Sequence, residues 1–530
     1  MSMKLISFLK KADRFLDRQT PLLILFVLII FLRLPNFFEP YWYGDEAIYL
    51  TLGNALKNGE KLYTTIIDHK TPLIYYLAMV PNQFYFRILN LIWMLFTTTF
   101  FFVFAKKLFK KDRWAFLASL ILVLLTTLPW LEGNIPNGEL FVMGFVMLGA
   151  VLFSQSSIFL NFFKKEIILS KTLKDSFLLI MAGFMMGLGI LTKVPAILDV
   201  AGFLSIFWLI LVTVFFDNKS NLKQLSKTFF YLLNRGLFFV SGLLLPILIS
   251  VVYFVVKGQG KDYLDYGLLY NLRYSQSWPL DLGNSLINFA FSMPGKTIVL
   301  FAVFILVSLN HDKLKKRFQF ISLYFIFTLY SVLLSSRPYP HYFIQMVPAL
   351  ALLVVDSLIT LGEMKKKKIL HTTKTLIISG GLLSLTAYIM LSLNFRPYSS
   401  VKYYKQFYKY ATLKINKEEY ENSFDSLIEE NRQVSKLIKE MGIQRMFIWG
   451  TNPLLYAQSK TIPTSRFTVA FHIKDFDDQN RTFAQIEKEK PKLIIIMNDE
   501  KENFPKLEEY LNNYYLANNE FRHMTLYLRQ

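Results

Sequence analysis

The chain has 530 residues, of which 53% are hydrophobic and only 18% are charged, and its formal net charge is +21. A soluble domain carries about 25% charged residues, so this composition excludes an ordinary soluble protein. The absence of cysteine excludes disulfides and thiol catalysis, and the grouping of lysines and arginines between apolar blocks argues against a nucleic-acid-binding face.

Apolar blocks recur along the chain, and each is close to the roughly 20 residues that cross a bilayer as a helix. The first block lacks a small-residue cleavage site, so it is predicted to be a span rather than a removable signal. The sequence therefore predicts an α-helical polytopic membrane protein with about eleven transmembrane helices. The predicted spans are 20–37, 84–105, 114–131, 139–163, 176–192, 195–216, 229–255, 296–310, 318–335, 342–361 and 370–393.

The charges between the spans predict the orientation of the protein. Groups of lysine and arginine, such as those at 106–113 and 313–317, mark cytoplasmic loops. They place the N-terminus in the cytoplasm, and an odd number of spans then places the C-terminus outside. We therefore expect a multi-pass protein of the cytoplasmic (inner) membrane whose first external loop is 38–83.

The pattern changes after the last span, which predicts two domains. Residues 1–394 are expected to form a transmembrane domain that includes the loop 38–83. In the remainder, 431–450 and 486–499 each combine an amphipathic helix with a short apolar strand. Helix-and-strand units of this spacing are typical of a sheet that contains parallel strands. Residues 395–530 are therefore predicted to form a small external α/β domain.

Two adjacent carboxylates, Asp45 and Glu46, follow the first span in the segment YGDEAIY. Asp45 and Tyr49 are four residues apart, so a helix would place them on one face. A carboxylate at this position can accept a proton from a hydroxyl group. An aspartate at the start of a helical segment is also a common N-cap, so the sequence leaves both roles open for Asp45.

Cations also occur at the outer ends of the spans. Lys70 and Lys193 are suited to hold a phosphate as compact positive charges, although lysines at this depth can equally extend towards phospholipid headgroups. Glu139 could be a solvated loop charge, and His341 a structural hydrogen-bonding residue. Acids and cations on one side of the membrane favour group transfer from a phosphate-bearing lipid to an outside acceptor. The candidate substrate-binding residues are Asp68, Lys70, Asn137, Glu139, Lys193, Arg337, His341 and Tyr342.

At these residues the sequence resembles the C-type integral-membrane glycosyltransferases that use polyprenyl-phosphate sugars. This superfamily includes the protein O-mannosyltransferases and the lipid A aminoarabinose transferases. The segment 445–467 is similar to the small external domain of bacterial members. The matching segments, in the same order, are YGDEAIYLTLGNALKNGEKLY (43–63), DHKTPLIYY (68–76), IPNGELFV (135–142), GILTKVPAI (189–197), YNLRYSQ (270–276) and RPYPHYFIQMVPALALL (337–353).

The resemblance implies the C-type glycosyltransferase fold and an inverting, single-displacement reaction. A sugar would pass from a polyprenyl-phosphate donor to a hydroxyl of a lipid, glycan or protein acceptor. The protein would also be in contact with membrane lipid. No cofactor is expected, and no residue is predicted to bind a metal. The sequence leaves open whether the reaction depends on a divalent metal ion. Thr71-Pro72 replaces the Pro-Pro of many relatives, and Thr65 stands where many have an acid. These departures leave the identity of the sugar and of the acceptor open.

The resemblance also implies roles for individual residues. Asp45 would be the general base, and Glu46 would support it or orient the acceptor. Lys70 and Lys193 would contact the donor phosphate. Two further residues match the second-loop position near the sugar or the acceptor: Asn137 and Glu139.

Two other functions compete with the glycosyltransferase interpretation. A transporter or flippase of a lipid-linked sugar usually places its polar residues near the bilayer midplane, often within inverted repeats. The polar residues of this sequence gather instead at the outer ends of the predicted spans. A phosphoethanolamine-type phosphotransferase needs a metal cluster or an activated serine or threonine in its soluble domain, and the sequence of 395–530 has no such relay of histidines and acids around a nucleophile.

Overall fold

A computed structural model of the chain describes residues 20–164, 172–217, 222–274, 285–364, 369–476 and 478–530. The cytoplasmic N-terminal segment expected from the sequence, and the end of the motif at 270–276, lie outside these residues. Up to residue 392 the helices are α1 (Thr20–Phe38, ending in the 3-10 turn Leu34–Phe38), α2 (Gly44–Lys57), α3 (Leu73–Leu77), α4 (Gln83–Phe109), α5 (Asp112–Thr127), α6 (Gly138–Phe153), α7 (Ser157–Phe162), α8 (Leu173–Thr192) and α9 (Ile197–Asp217). They continue with α10 (Leu222–Val256), α11 (Gly260–Asp262), the π-helical Tyr263–Leu269, α12 (Tyr270–Tyr274), α13 (Ser285–Phe291), α14 (Met293–Leu309), α15 (Lys316–Leu333), α16 (Val347–Met364) and α17 (Ile369–Ser392), with short 3-10 turns at Pro129–Leu131, Val194–Ala196 and Pro340–Met346.

Every predicted span overlaps at least one of these helices, which confirms the polytopic helical fold class. Seven of the described helices are long and apolar enough to cross a membrane by length and composition: Thr20–Phe38, Gln83–Phe109, Leu173–Thr192, Val194–Asp217, Leu222–Val256, Pro340–Glu363 and Thr372–Ser392. The shorter α5, α6, α14 and α15 have 16, 16, 17 and 18 residues, respectively. They pack within the same bundle, α6 against α8 and α15 against α9.

Helices α8 and α10 are packed closely because glycines face the contact. A Cβ atom on Gly183 would lie 2.0 Å from the carbonyl oxygen of Phe239, and one on Gly242 would lie 2.0 Å from the carbonyl oxygen of Ile180. Small residues allow helix backbones in membranes to approach in this way. This contact positions the end of α8, where Lys193 follows Thr192.

The loop between α1 and α4 is enclosed between the helix bundle and the C-terminal part of the chain. Most of α2 is buried, and it packs against the helix Pro453–Ser459 of the C-terminal part. The backbone amide of Ile67 donates to the carbonyl oxygen of Arg466 at 2.6 Å. The guanidinium of Arg445 pairs with Glu60 at 2.6 Å. The loop therefore has contacts on both sides, which fix the position of the polar side chains that it carries.

The C-terminal part forms a small α/β unit, as predicted. Its five-stranded sheet has the order β2-β1-β3-β5-β4, in which β1 pairs in parallel with β2 and β3 and the other pairs are antiparallel. The apolar strand LIIIM at the centre of the sheet is almost fully buried. Its elements are α18 (Ser400–Ala411), α19 (Lys417–Asn422), α20 (Leu427–Glu440), β1 (Arg445–Trp449), α21 (Pro453–Ser459), β2 (Ile462–Pro463), α22 (Ala470–Asp475), α23 (Gln479–Glu489), β3 (Leu493–Met497), α24 (Pro505–Tyr514), β4 (Tyr515–Glu520) and β5 (Met524–Arg529).

Candidate active site

Lys70 lies between two aspartates in the enclosed loop. Its ammonium nitrogen is 3.4 Å from Asp45 Oδ2 and 3.6 Å from Asp68 Oδ2, and its side chain is only 7% exposed. Helix α2 begins at Gly44, and its N-cap is Tyr43. Asp45 therefore lies inside the first turn and is not the N-cap, so the capping alternative is wrong for this residue.

Tyrosine hydroxyls hold the two carboxylates in place. Tyr49 donates to Asp45 Oδ2 at 3.2 Å, as expected for residues four apart on one face of a helix. Tyr75, from α3, donates to Asp68 Oδ2 at 2.7 Å. The Lys70 ammonium also lies 5.0 Å from the centre of the Tyr49 ring. These contacts fix the acids and the cation relative to one another.

Charge pairing determines the protonation of this cluster. Burial opposes ionisation of Asp45, but the Lys70 ammonium outweighs it and lowers the pKa of Asp45 to about 2. Burial likewise opposes ionisation of Asp68, and Lys70 and His69 hold its pKa well below the usual range. The two aspartates outweigh burial for Lys70 and raise its pKa. At neutral pH the cluster therefore contains two carboxylates and one ammonium.

Two cavities meet at Lys70. A polar cavity of about 370 Å³ is bounded by α2, by the 3-10 turn Pro340–Met346 and by the C-terminal domain. A mainly apolar cavity of about 180 Å³ lies between the helices of the bundle. His69, Lys70, Tyr274 and Tyr342 line both cavities. The other polar-cavity residues include Tyr43, Asp45, Asp68, Glu132, Arg337 and His341, and the other apolar-cavity residues include Glu139, Lys193, Pro195, Leu272, Val332 and Gln345.

Lys193 and Glu139 form an ion pair in the apolar cavity. The Lys193 ammonium also lies 4.2 Å from the centre of the Tyr342 ring. The hydroxyl of Tyr342 is 3.1 Å from that of Tyr274, and the Arg337 guanidinium lies 4.2 Å from the centre of the Tyr274 ring. The structure thus brings Lys193, Glu139, Arg337 and Tyr342 together with Lys70.

Two of the residues singled out in the sequence lie elsewhere among the described residues. Glu46 receives two hydrogen bonds from Arg87, at 2.9 and 2.8 Å, and one from Gln83 at 2.9 Å. The Asn137 amide donates to the backbone carbonyl of Glu132 at 3.2 Å. Glu46 and Asn137 therefore support helix contacts and a turn, and the contacts that they make favour positioning roles over substrate contact.

The structure brings together three side chains that could hold a metal ion. One ligand atom each of Asp68, His69 and His472 lies within 4.8 Å of the others. Burial lowers the pKa of His69, and it lowers that of His472 to about 3, so both imidazoles are neutral, the form that binds metals. Both ring nitrogens of His472 are buried without a hydrogen-bond partner among the described residues. Two imidazoles and a carboxylate are a donor set that suits zinc.

Sequence reasoning missed His69, His472 and Glu132. His69 lies directly before Lys70 in the sequence, and His472 comes from α22 in the C-terminal domain. Glu132 follows the 3-10 turn Pro129–Leu131 and has the left-handed backbone angle φ +58°. Its backbone conformation is uncommon for a residue with a Cβ, but no sequence motif marks it. The contacts of these residues depend on chain segments that are far apart in sequence.

Comparison with known proteins shows the fold. No protein-family model and no curated protein matches the sequence. The structure of ArnT from Cupriavidus metallidurans bound to undecaprenyl phosphate matches 95% of this chain and 97% of its own, with a TM-score of 0.53 and 10% sequence identity. AglB from Archaeoglobus fulgidus, in complex with an inhibitory peptide and a dolichol-phosphate, matches 96% of this chain and 74% of its own, with a TM-score of 0.41 and 13% identity. The likeness to ArnT shows that this chain has the C-type glycosyltransferase fold that its sequence resemblance implied.

Proposed function

We propose that the protein is an inverting glycosyltransferase that moves a sugar from a polyprenyl-phosphate donor to a hydroxyl of a lipid, glycan or protein acceptor. The observation that carries this proposal is the position of Lys70. It is a buried cation at the junction of an apolar cavity and a polar cavity, beside the carboxylate of Asp45. A lipid-linked phosphate needs an apolar surface on one side of its charge and a polar reaction space on the other.

The apolar cavity suits the donor. Leu272, Val332 and Pro195 offer surface for the first units of a polyprenyl chain, while Lys70 and Lys193 stand at its polar end. An ammonium binds phosphate as a compact point charge. ArnT, whose fold this chain shares, was solved with undecaprenyl phosphate bound, which supports the same class of lipid as the donor here.

The polar cavity suits the acceptor. In the proposed step, the acceptor oxygen attacks the anomeric carbon of the sugar while the bond from that carbon to the phosphate oxygen breaks. The electron pair of the broken bond remains on the lipid phosphate, where Lys70 stabilises it. The acceptor proton passes to Asp45, which is ionised at neutral pH. A single displacement of this kind inverts the configuration at the anomeric carbon.

Removal of the Lys70 charge is expected to weaken donor binding. A charge-assisted hydrogen bond is worth roughly 1.5–3 kcal/mol, so Lys70→Ala should raise the Kd for undecaprenyl phosphate about 10- to 100-fold. The measurement is a binding titration of the detergent-solubilised protein with undecaprenyl phosphate. Lys61→Ala, which removes an exposed lysine from the same loop, should bind like the unmodified protein. Equal affinities for Lys70→Ala and Lys61→Ala would remove Lys70 from the donor site.

We also propose that the two cavities open to the outside of the cytoplasmic membrane. Because the chain has no cysteine, single cysteines can be introduced without background. Lys57 in α2 and Lys436 in α20 are exposed, as is Lys107 in α4. An impermeant maleimide should label Lys57→Cys and Lys436→Cys in cells with a permeabilised outer envelope, and Lys107→Cys only after lysis. The reverse pattern would overturn the orientation.

A further inference from the structure

A second acid pairs with a histidine in the wall of the polar cavity that Lys70 also lines. His341 Nδ1 lies 2.5 Å from Glu132 Oε2, and the hydroxyl of Tyr43 donates to the same oxygen at 2.5 Å. Both Glu132 and His341 are 5% exposed. The other ring nitrogen, His341 Nε2, faces Asp45 Oδ2 at 4.0 Å. The imidazole therefore stands between two carboxylates, one in a buried pair and one at the reaction site.

This arrangement selects the imidazole tautomer that carries its proton on Nδ1. The Glu132 carboxylate accepts a hydrogen bond from Nδ1–H, which leaves the lone pair of Nε2 directed at the cavity. A carboxylate that orients a histidine in this way is the arrangement found in hydrolase triads, where the second nitrogen takes a proton from a hydroxyl. The gap of 4.0 Å between Nε2 and Asp45 is too long for a direct hydrogen bond, and it leaves space for a hydroxyl oxygen that contacts both groups.

The backbone of Glu132 supports a specific role for the pair. Its φ of +58° is in the left-handed region, which is uncommon for a residue with a Cβ. Strained residues persist where the surroundings over-determine them, and they cluster at functional sites. Here the strained residue carries the carboxylate that holds the imidazole.

We propose that His341 is the final acceptor of the proton released in the transfer reaction and that Glu132 is its positioning residue. The inference rests on the proposed function and extends it. As the acceptor oxygen bonds to the anomeric carbon, its O–H bond and the bond from that carbon to the phosphate oxygen break. The proton moves first to Asp45 and then, through a water molecule in the polar cavity, to His341 Nε2. The electron pair of the broken bond between the anomeric carbon and the phosphate oxygen stays on the lipid phosphate beside Lys70. The proton then leaves the imidazole for water in the cavity, which restores the starting state.

A histidine is needed because Asp45 cannot retain the proton. Lys70 stabilises the ionised form of Asp45 and lowers its pKa, which makes the carboxylate a weak base at neutral pH. An imidazole ordinarily titrates near neutral pH. The charged and titratable groups that face His341 come from several elements: Tyr43, Asp45, Glu132, Glu139, Tyr339 and Tyr342.

The experiment follows turnover in native membrane vesicles, which supply both donor and acceptor, by mass spectrometric loss of the polyprenyl-phosphate sugar across a pH series. His341→Ala should lower turnover about 10²–10⁴-fold, lose the acidic limb of the pH–rate profile, and recover activity when imidazole is added. Its affinity for undecaprenyl phosphate should be unchanged. His523→Gln is the matched control, because His523 forms a similar pair with Glu430 at 2.9 Å in the C-terminal domain.

A second variant keeps the test decisive if His341→Ala does not fold. Glu132→Gln retains an acceptor oxygen for Tyr43 and His341 but removes the negative charge that stabilises the imidazolium. The acidic limb should therefore move to lower pH, and turnover at neutral pH should fall. An unchanged pH profile in either folded variant, or no rescue by imidazole, would overturn the proton-acceptor role. If the unmodified protein itself showed no turnover of the polyprenyl-phosphate sugar, the proposed function would be overturned instead.

Discussion

Replacement of Asp45 by asparagine is expected to reduce transfer about 10²–10⁴-fold, because the variant cannot accept a proton from the attacking hydroxyl. Donor binding should be retained, since the variant keeps the size of the side chain and leaves Lys70 in place. Lys70 even loses a competing carboxylate, which lies 3.4 Å away in the unmodified protein. The measurements are turnover in native membrane vesicles and affinity for undecaprenyl phosphate in detergent.

The pH dependence separates Asp45 from His341. The folded-state pKa of Asp45 is lowered to about 2, so its carboxylate is present throughout the range above about pH 4, where an unperturbed aspartate is also ionised. Its stabilising pairing with Lys70 is lost only as the pH falls through that lowered value. If the pH–rate profile of turnover has an acidic limb nearer neutral pH, that limb must therefore come from another group. Full activity of Asp45→Asn would exclude Asp45 as the proton acceptor.

Arg87→Met is expected to lower the free energy of unfolding by about 3–5 kcal/mol, the range found when one partner of a buried ion pair is removed. The guanidinium of Arg87 lies 2.8 Å from Glu46 and 3.3 Å from Glu39, and all three side chains are buried. Without it, two carboxylates remain unpaired in the interior. The measurement is chemical unfolding of the detergent-solubilised protein, followed by a spectroscopic signal.

The control for this variant is an exposed ion pair between the end of α4 and the start of α5. Lys106 lies 2.9 Å from Asp112, and both side chains are about half exposed. Lys106→Met should change stability by at most about 1 kcal/mol. Equal stability of Arg87→Met and Lys106→Met would show that the buried cluster does not hold the first loop, and Glu46 would then remain a candidate for orienting the acceptor.

The parts of the site that lie close together in sequence could be predicted. Asp45 and Tyr49 share a helix face because their spacing is four residues. Lys70 stood out as a cation on the predicted outer side, and it does lie beside Asp45. Hydropathy alone located the bundle helices, because a bilayer demands long apolar segments.

The parts that depend on contacts between distant segments could not be predicted. Glu46 looks like a partner of Asp45 in sequence, but successive helix residues point in different directions, and Glu46 faces Arg87 on α4. Glu132 meets His341 only because the turn before α6 packs beside the turn before α16. His472 reaches Asp68 only because the C-terminal domain packs on the first loop. Such contacts follow from the tertiary fold and leave no local pattern.

The most direct test of the central claim is mass spectrometry of the membrane lipids from a strain that lacks the protein. Deletion should cause a polyprenyl-phosphate sugar to accumulate, because its consumer is missing. Expression of the unmodified protein should return that lipid to its normal level, whereas expression of folded Asp45→Asn should not. If the lipid does not accumulate on deletion, or if Asp45→Asn restores its level fully, the protein is not a transferase that uses Asp45 to consume a polyprenyl-phosphate sugar.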